Sequence, residues 1–146
     1  MTNLIKNLRP FHLAFPVKNL KDTRDWYIKY LDCKIGRESS NWIDFNFFGH
    51  QISAHLSNVK SDILKTNLVN SKKIPIRHFG IILSWNHWHD LVSKLNSKDI
   101  VFFIKPCTRF KGKSGEQVTF FLEDPSENFL EFKSFKNDSS IFSTKY

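Results

Sequence analysis

Two short stretches decide the fold, Phe11-His12-Leu13-Ala14-Phe15 and Arg77-His78-Phe79-Gly80-Ile81, because they repeat one pattern in a single chain. Each alternates between two sets of side chains and has a histidine at its second position. Such alternation predicts a strand with one buried face. Each stretch is followed by an amphipathic helical pattern and then by three strand-like runs. We therefore predict that the chain contains the supersecondary unit βαβββ twice.

The helices and strands that follow each stretch are placed by capping residues and periodicity. The first helix is predicted to begin after Asn19, an N-cap residue, with Asp22 three positions later. The second is predicted to begin near Ser84 or Asn86. One face of each helix is apolar at helical spacing: Trp26, Tyr27, Tyr30 and Leu31 in the first, and Trp88, Leu91, Val92 and Leu95 in the second. The strand-like runs are 33–37, 42–48 and 51–56, then 100–104, 117–123 and 129–135.

These elements predict an α+β fold in one domain. Two paired βαβββ modules are expected to form a curved mixed sheet around a metal-binding pocket, with the helices outside. Module one spans about 9–57 and module two about 75–135. Residues 58–74 are polar without a clear period and are interpreted as a linker, and 136–146 as a polar C-terminal tail.

Composition limits the function classes. The 146 residues suffice for one domain with a real core. The net charge of +8 makes nucleic acid a candidate partner, but no nucleic-acid-binding motif is present and we do not expect that function. No apolar run approaches the ~18 residues of a membrane span, and the N-terminal residues lack a signal-peptide pattern. With two cysteines, Cys33 and Cys107, interpreted as reduced thiols, we expect a cytoplasmic protein.

Alternation places an unusual set of polar side chains on one face of the predicted strands. The apolar partners of these residues would pack under the helices, and the opposite face would line a pocket. Three imidazoles and one carboxylate form a ligand set for Fe(II), Mn, Ni, Co or Zn. We interpret His12 and His78 as equivalent positions in the two copies, and His55 and Glu131 likewise. The face collects His12, His55, His78, Glu131, Asp44, Asn46, Gln51, Ser53, Gln117 and Thr119.

The sequence at this point resembles the vicinal oxygen chelate superfamily, which includes glyoxalase I, extradiol dioxygenases, fosfomycin-resistance thiol transferases and bleomycin-resistance proteins. The likeness covers about residues 9–135 and is closest to a group of predicted small extradiol-type dioxygenases. The segments that carry it are PFHLAFPVKNL, DWYIKYLDCKIGR, WIDFNFFGHQISAHL, IPIRHFGIIL and RFKGKSGEQVTFFLEDPSENFLEFKSF.

The resemblance implies a metal site and its ligands. His12, His78 and Glu131 would form the His-His-Glu triad of extradiol enzymes, and His55 lies where glyoxalase I has a further ligand. One divalent ion per site is implied, with Fe(II) favoured and Mn, Ni, Co or Zn as alternatives. The chain departs from the extradiol signature at Phe121, where a substrate-binding Tyr is usual, and at Glu127, where Gly or Pro is usual.

The substrate side of the site is predicted from the residues around this face. In the loop 109–117, Arg109 or Lys111 would neutralise a substrate carboxylate, because a guanidinium fork suits that group. His55 would be a fourth ligand or an acid–base group. The substrate pocket is expected to include Asn46, Gln51, Gln117 and Lys111.

The leading hypothesis is therefore a metal-dependent, dioxygenase-like enzyme whose small, oxygen-rich and possibly anionic substrate chelates the metal through vicinal oxygens. The alternatives are a glyoxalase-type isomerase or lyase, and a non-catalytic resistance-type protein that binds a small molecule. A homodimer is expected, and the modules could pair within one chain or between two.

Overall fold

The computed structural model describes residues 8–58, 65–69 and 71–144. It divides into two compact units, Met1–Val59 (unit 1) and Lys60–Tyr146 (unit 2). Each unit contains one four-stranded mixed sheet and one long helix. The predicted α+β class and the βαβββ order of both copies are confirmed. The N-terminal residues and parts of the predicted linker and tail lie outside the described residues.

Unit 1 has the sheet order β1-β4-β3-β2. Strand β1 runs parallel to β4, and the other two pairings are antiparallel. Its elements are β1 (His12–Val17), α1 (Leu20–Leu31), β2 (Lys34–Glu38), β3 (Trp42–Phe47) and β4 (His50–Leu56).

Local sequence explains helix α1 and its burial. Asn19 is the N-cap, and its side chain accepts a hydrogen bond from the Asp22 backbone N–H, as predicted. The helix ends at Asp32, which adopts the left-handed conformation with φ 51°. Tyr27 is fully buried and stacks on Phe45 of β3 with 5.0 Å between ring centroids. The apolar face of this sheet therefore packs under the helix.

Unit 2 has the sheet order β7-β10-β9-β8, the same topology as unit 1. Strand β7 runs parallel to β10, and β9 pairs antiparallel with both β10 and β8. Two short antiparallel strands, β5 and β6, precede this sheet. Its elements are β5 (Thr66–Val69), β6 (Lys72–Pro75), β7 (Phe79–Ile82), α2 (Trp85–Ser97), β8 (Ile104–Arg109), β9 (Gln117–Glu123) and β10 (Phe129–Phe135).

Aromatic packing joins helix α2 to its sheet. The Trp88 indole N–H donates a 2.9 Å hydrogen bond to the Phe132 carbonyl, so the buried ring has its polar atom satisfied. Phe120 and Phe132 stack with 5.1 Å between their ring centroids. None of the described helices is long and apolar enough to cross a membrane.

Three boundaries differ from the sequence-based predictions. The expected linker 58–74 contains strand β5 and most of strand β6. These two strands pair with each other rather than with the four-stranded sheet, and their sequence has no amphipathic pattern that would predict them. The strand predicted at 100–104 begins at Ile104, where pairing with Phe121 starts. The predicted tail includes a short 3-10 helix, Asp138–Ser140, and the Ser140 hydroxyl donates to the Ser114 carbonyl.

Candidate metal centre

The imidazole of His78 is held by the backbone just before β7. Its Nδ1 lies 2.7 Å from the carbonyl oxygen of Pro75. A carbonyl can only accept, so Nδ1 carries the hydrogen and donates it. The orientation of the ring is thereby fixed, and Nε2 points at Glu131 Oε2, 3.1 Å away.

Glu131 is fixed from its other oxygen. The residue is 8% exposed on β10, and Thr119 on the adjacent strand β9 donates its hydroxyl to Oε1 at 2.7 Å. The Lys133 ammonium lies 3.9 Å from Oε2. Phe121, where the dioxygenase signature usually has Tyr, stands edge-on to the His78 ring at 5.1 Å.

Glycine at position 80 allows β7 to approach β10 closely. A Cβ on Gly80 would lie 1.6 Å from the Glu131 carbonyl oxygen, so no side chain fits there. Gly80 is also the register partner of Glu131. Because His78 is two residues before Gly80, this contact sets how near the imidazole comes to the carboxylate.

The two groups shift each other's proton affinity. The hydrogen bond with Glu131 raises the pKa of His78 above 6.5, against the opposing effect of burial. Burial acts to raise the pKa of Glu131, but the hydrogen bond with His78, the Lys133 charge and the Thr119 hydroxyl together lower it below 4.5. Without a metal, each group therefore favours the charged form of the other, an imidazolium beside a carboxylate.

A pH-dependent contribution to stability follows for the metal-free protein. It should be fully present between pH 4.5 and 6.5, the usual pKa values of Glu131 and His78. It is lost as the pH rises through the raised pKa of folded His78, and also as the pH falls through the lowered pKa of folded Glu131. In EDTA, the melting temperatures of wild type and His78→Gln should differ more at about pH 5.5 than at about pH 9. A difference independent of pH would contradict the ion pair.

Arg109 lies at the end of β8, where it pairs with Gln117 of β9. Its Nε and Nη2 atoms are buried and have no hydrogen-bond partner among the described residues. Cys107, two positions earlier, pairs with Thr119, so alternation places Arg109 on the sheet face that carries Thr119 and Glu131. Guanidinium donors that have no partner are suited to an anion. Lys111, in the following turn, is exposed.

In unit 1 the register separates the two histidines. His12 pairs with Gln51, and His55 pairs with Pro16. They share one face but lie four positions apart along the β1–β4 pair, which is about 13 Å at ~3.3 Å per residue. Both are exposed.

The register also tests which positions are equivalent in the two units. When the predicted equivalence of His12 and His78 is kept, Ala14 corresponds to Gly80, and their register partners Ser53 and Glu131 correspond to each other. The second predicted equivalence, of His55 with Glu131, is incompatible with the first, because on this register Ser53 occupies the Glu131 position. His55 corresponds instead to Lys133.

Across the residues that the structure describes, no three His, Cys, Asp or Glu side chains come together as a metal-binding group. A pocket of about 330 Å³ in unit 1 has Asn46 and Gln51 among its lining residues. Sequence reasoning placed Thr119 and Asp44 on the polar face without a role. Their positions against Glu131 and in this pocket depend on register, which no sequence signal revealed.

The chain was compared with known proteins. It matches no protein-family model and no curated protein. Among solved structures, a glyoxalase/bleomycin resistance protein/dioxygenase from Alicyclobacillus acidocaldarius is 34% identical with a TM-score of 0.79. The match covers 91% of this chain and 96% of that one.

More distant structures share the fold. The genomically encoded fosfomycin resistance protein FosX from Listeria monocytogenes is 13% identical with a TM-score of 0.65, over 94% of this chain and 100% of that one. A glutamate-to-glutamine mutant of that FosX was solved with Mn(II) and 1S,2S-dihydroxypropylphosphonic acid; it is 14% identical with a TM-score of 0.63, over 95% and 98% of the two chains.

Proposed function

The chain belongs to the glyoxalase/bleomycin resistance/dioxygenase family of the vicinal oxygen chelate superfamily, and from this premise we propose that it is a divalent-metal-dependent enzyme acting on a small, oxygen-rich anion. The observation that carries the proposal is the fixed pair of His78 Nε2 and Glu131 Oε2, 3.1 Å apart. A neutral imidazole and a carboxylate are both ligands of divalent transition metals.

The donor set fits a cation on chemical grounds. With the hydrogen of neutral His78 on Nδ1, Nε2 and Oε2 are both lone-pair donors that face each other, and they need a proton or a metal ion between them. Two ligand atoms each ~2.0–2.2 Å from one ion and at right angles lie about 3 Å apart. The Pro75 carbonyl and the Thr119 hydroxyl hold the two ligands from behind, as supporting groups do at metal sites.

We propose His12, His78 and Glu131 as the protein ligands, with His12 supplied by unit 1 of the same or a second chain, as in a homodimer. A divalent ion held there, Fe(II) in the favoured case, supplies Lewis acidity toward a carbonyl or enolate oxygen and reactivity toward O₂. His12 and His55 lie about 13 Å apart along the β1–β4 pair at ~3.3 Å per residue. This separation favours an acid–base role for His55 over a role as a fourth ligand. An imidazole can take or give a proton near neutral pH.

The polar side chains of Arg109, Gln117 and Lys111 would orient the substrate. Arg109 would bind a carboxylate or phosphonate through its unpartnered Nε and Nη2 donors. Gln117 lies beside it in register, and Lys111 adds positive charge in the next turn. The FosX complex with Mn(II) and a dihydroxypropylphosphonic acid supports this chemistry, because that ligand is a small anion with neighbouring oxygens.

Reaction type is tested by oxygen consumption. Protein loaded with Fe(II) without air and then exposed to O₂ is expected to consume oxygen with a catechol-type substrate, measured with an oxygen electrode across a panel. No uptake with any of them would reject the dioxygenase. Isomerisation of a hemithioacetal would then favour the glyoxalase-type alternative, and ligand binding without turnover would favour the resistance type.

Arg109 has its own expected effect on anion binding. Arg109→Gln should weaken binding of oxalate, a chelating dianion, to the Mn(II)-loaded protein by about tenfold or more, because a charge-assisted hydrogen bond is lost. Calorimetric titration measures the change, and Mn(II) affinity should stay within about twofold. Lys113→Gln, an exposed cation of the same loop, is the matched control. Equal effects of the two substitutions would remove Arg109 from this role.

A further inference from the structure

Unit 1 contains a pocket whose lining includes a buried carboxylate, and one oxygen of that carboxylate accepts no hydrogen bond from the described residues. The pocket, about 330 Å³, is lined by residues of β2, β3, β4 and the adjoining turns, among them Gly36, Arg37, Asp44, Asn46 and Gln51. It uses neither His78 nor Glu131. All its lining residues lie in unit 1.

Asp44 is the buried acid, at 5% exposure. Its Oδ1 accepts a hydrogen bond from the Ser53 hydroxyl. Its Oδ2 is buried and accepts none from any described residue. The Arg37 Nε, on a side chain 81% exposed, lies 3.5 Å from Oδ2 and balances its charge. A buried carboxylate oxygen without a donor opposes folding, so its retention in a pocket points to a ligand.

Two neighbouring polar groups in the pocket already accept hydrogen bonds within unit 1. The Asn46 side-chain oxygen accepts the Gly49 N–H at 2.8 Å, and His50 Nδ1 accepts the Phe11 N–H at 2.9 Å. Gly36 packs closely against the acid, since a Cβ there would lie 3.2 Å from the Asp44 Cβ. Asp44 Oδ2 is thus left without a hydrogen-bond donor among the described residues, on a residue that lines the pocket.

We propose that Asp44 Oδ2 accepts a hydrogen bond from a hydroxyl group of a small organic ligand. Because Arg37 already balances the carboxylate charge, the group bound is a neutral hydroxyl rather than an ammonium. The Arg37 guanidinium can donate to the same hydroxyl oxygen. The inference deepens the proposed function, on which it rests for treating this pocket as a substrate pocket, and it assigns the substrate a hydroxyl group.

Phenol and anisole are the probes, because they share a ring and differ in the hydroxyl donor. Amide spectra of the EDTA-treated protein should show phenol shifting signals of pocket residues such as Gly36 and Gly49, and anisole leaving them in place. Asp44→Asn should weaken phenol binding at least about tenfold, because a hydrogen bond to a charged acceptor is lost. Its melting temperature should be unchanged or higher, because the cost of burying a charge is removed while an oxygen remains for the Ser53 hydroxyl.

Asp124→Asn is the matched control, since Asp124 is also buried but its carboxylate accepts from the Ser126 N–H, the Asn128 N–H and the Asn128 amide. It should lower the melting temperature and leave phenol affinity unchanged. Equal binding of phenol and anisole to wild type, or full phenol affinity in Asp44→Asn, would overturn the inference. The first comparison needs no variant. Because the protein is metal-free, failure of the proposed metal site leaves the result interpretable.

Discussion

Replacing Glu131 with Gln is expected to lower Mn(II) affinity by at least about 100-fold, since loss of a supporting group alone costs 10–100-fold and here a charged ligand is removed. The Thr119 hydroxyl would still have an oxygen to donate to, so the side chain should keep its place. The unbound Mn(II) signal in electron paramagnetic resonance titrations measures the affinity.

Glu123→Gln provides the control for Glu131→Gln. Glu123 is an exposed carboxylate at the end of the adjacent strand β9, and its neutralisation changes the net charge equally. Mn(II) affinity in this variant should remain within about twofold of wild type. If both variants bound Mn(II) like wild type, Glu131 would not be a ligand.

Replacing Gly80 with Ala is expected to lower the free energy of unfolding by at least about 2–3 kcal/mol, at the upper end for overpacking a core. The added Cβ would meet the Glu131 carbonyl oxygen at 1.6 Å, and a backbone oxygen cannot rotate away as a side chain can. Strand β7 must therefore shift from β10, which also moves His78 from Glu131. Urea unfolding measures the first effect and Mn(II) titration the second.

Gly115→Ala separates this clash from the general effect of a methyl group. A Cβ at Gly115 has no neighbour within 4 Å, and its φ is not positive. Stability should be unchanged or rise by about 0.4–1 kcal/mol, because the unfolded chain becomes less flexible. Similar losses for both variants would show that the approach of β7 to β10 is looser than described.

Sequence periodicity predicted faces well and register poorly. Alternation identified the side of β4 that carries Ser53 and His55, since a period of two fixes the face of every residue. A shift of two positions leaves that face unchanged but moves a side chain about 6–7 Å along the strand. This is why the sequence pattern matched His55 with Glu131, although the register matches Ser53 with Glu131.

Elements that are determined by neighbouring residues could be predicted from the sequence. The N-cap at Asn19 and the strands with a buried face were predicted because capping and alternation are written in neighbouring residues. Strands β5 and β6 were missed because they pair only with each other and have no alternating apolar face. Whether the Asp44 and Arg109 atoms have hydrogen-bond partners depends on residues distant in sequence, which local patterns do not reveal.

Counting the imidazoles bound to the metal tests the proposed centre most directly. Electron spin echo envelope modulation of Mn(II)-loaded protein detects coordinated nitrogen, and we expect two histidines in wild type and one in either His12→Gln or His78→Gln. His87→Gln, an exposed histidine of α2, should retain both. Absence of nitrogen coupling in wild type, or two histidines remaining after His78→Gln, would contradict the proposed centre.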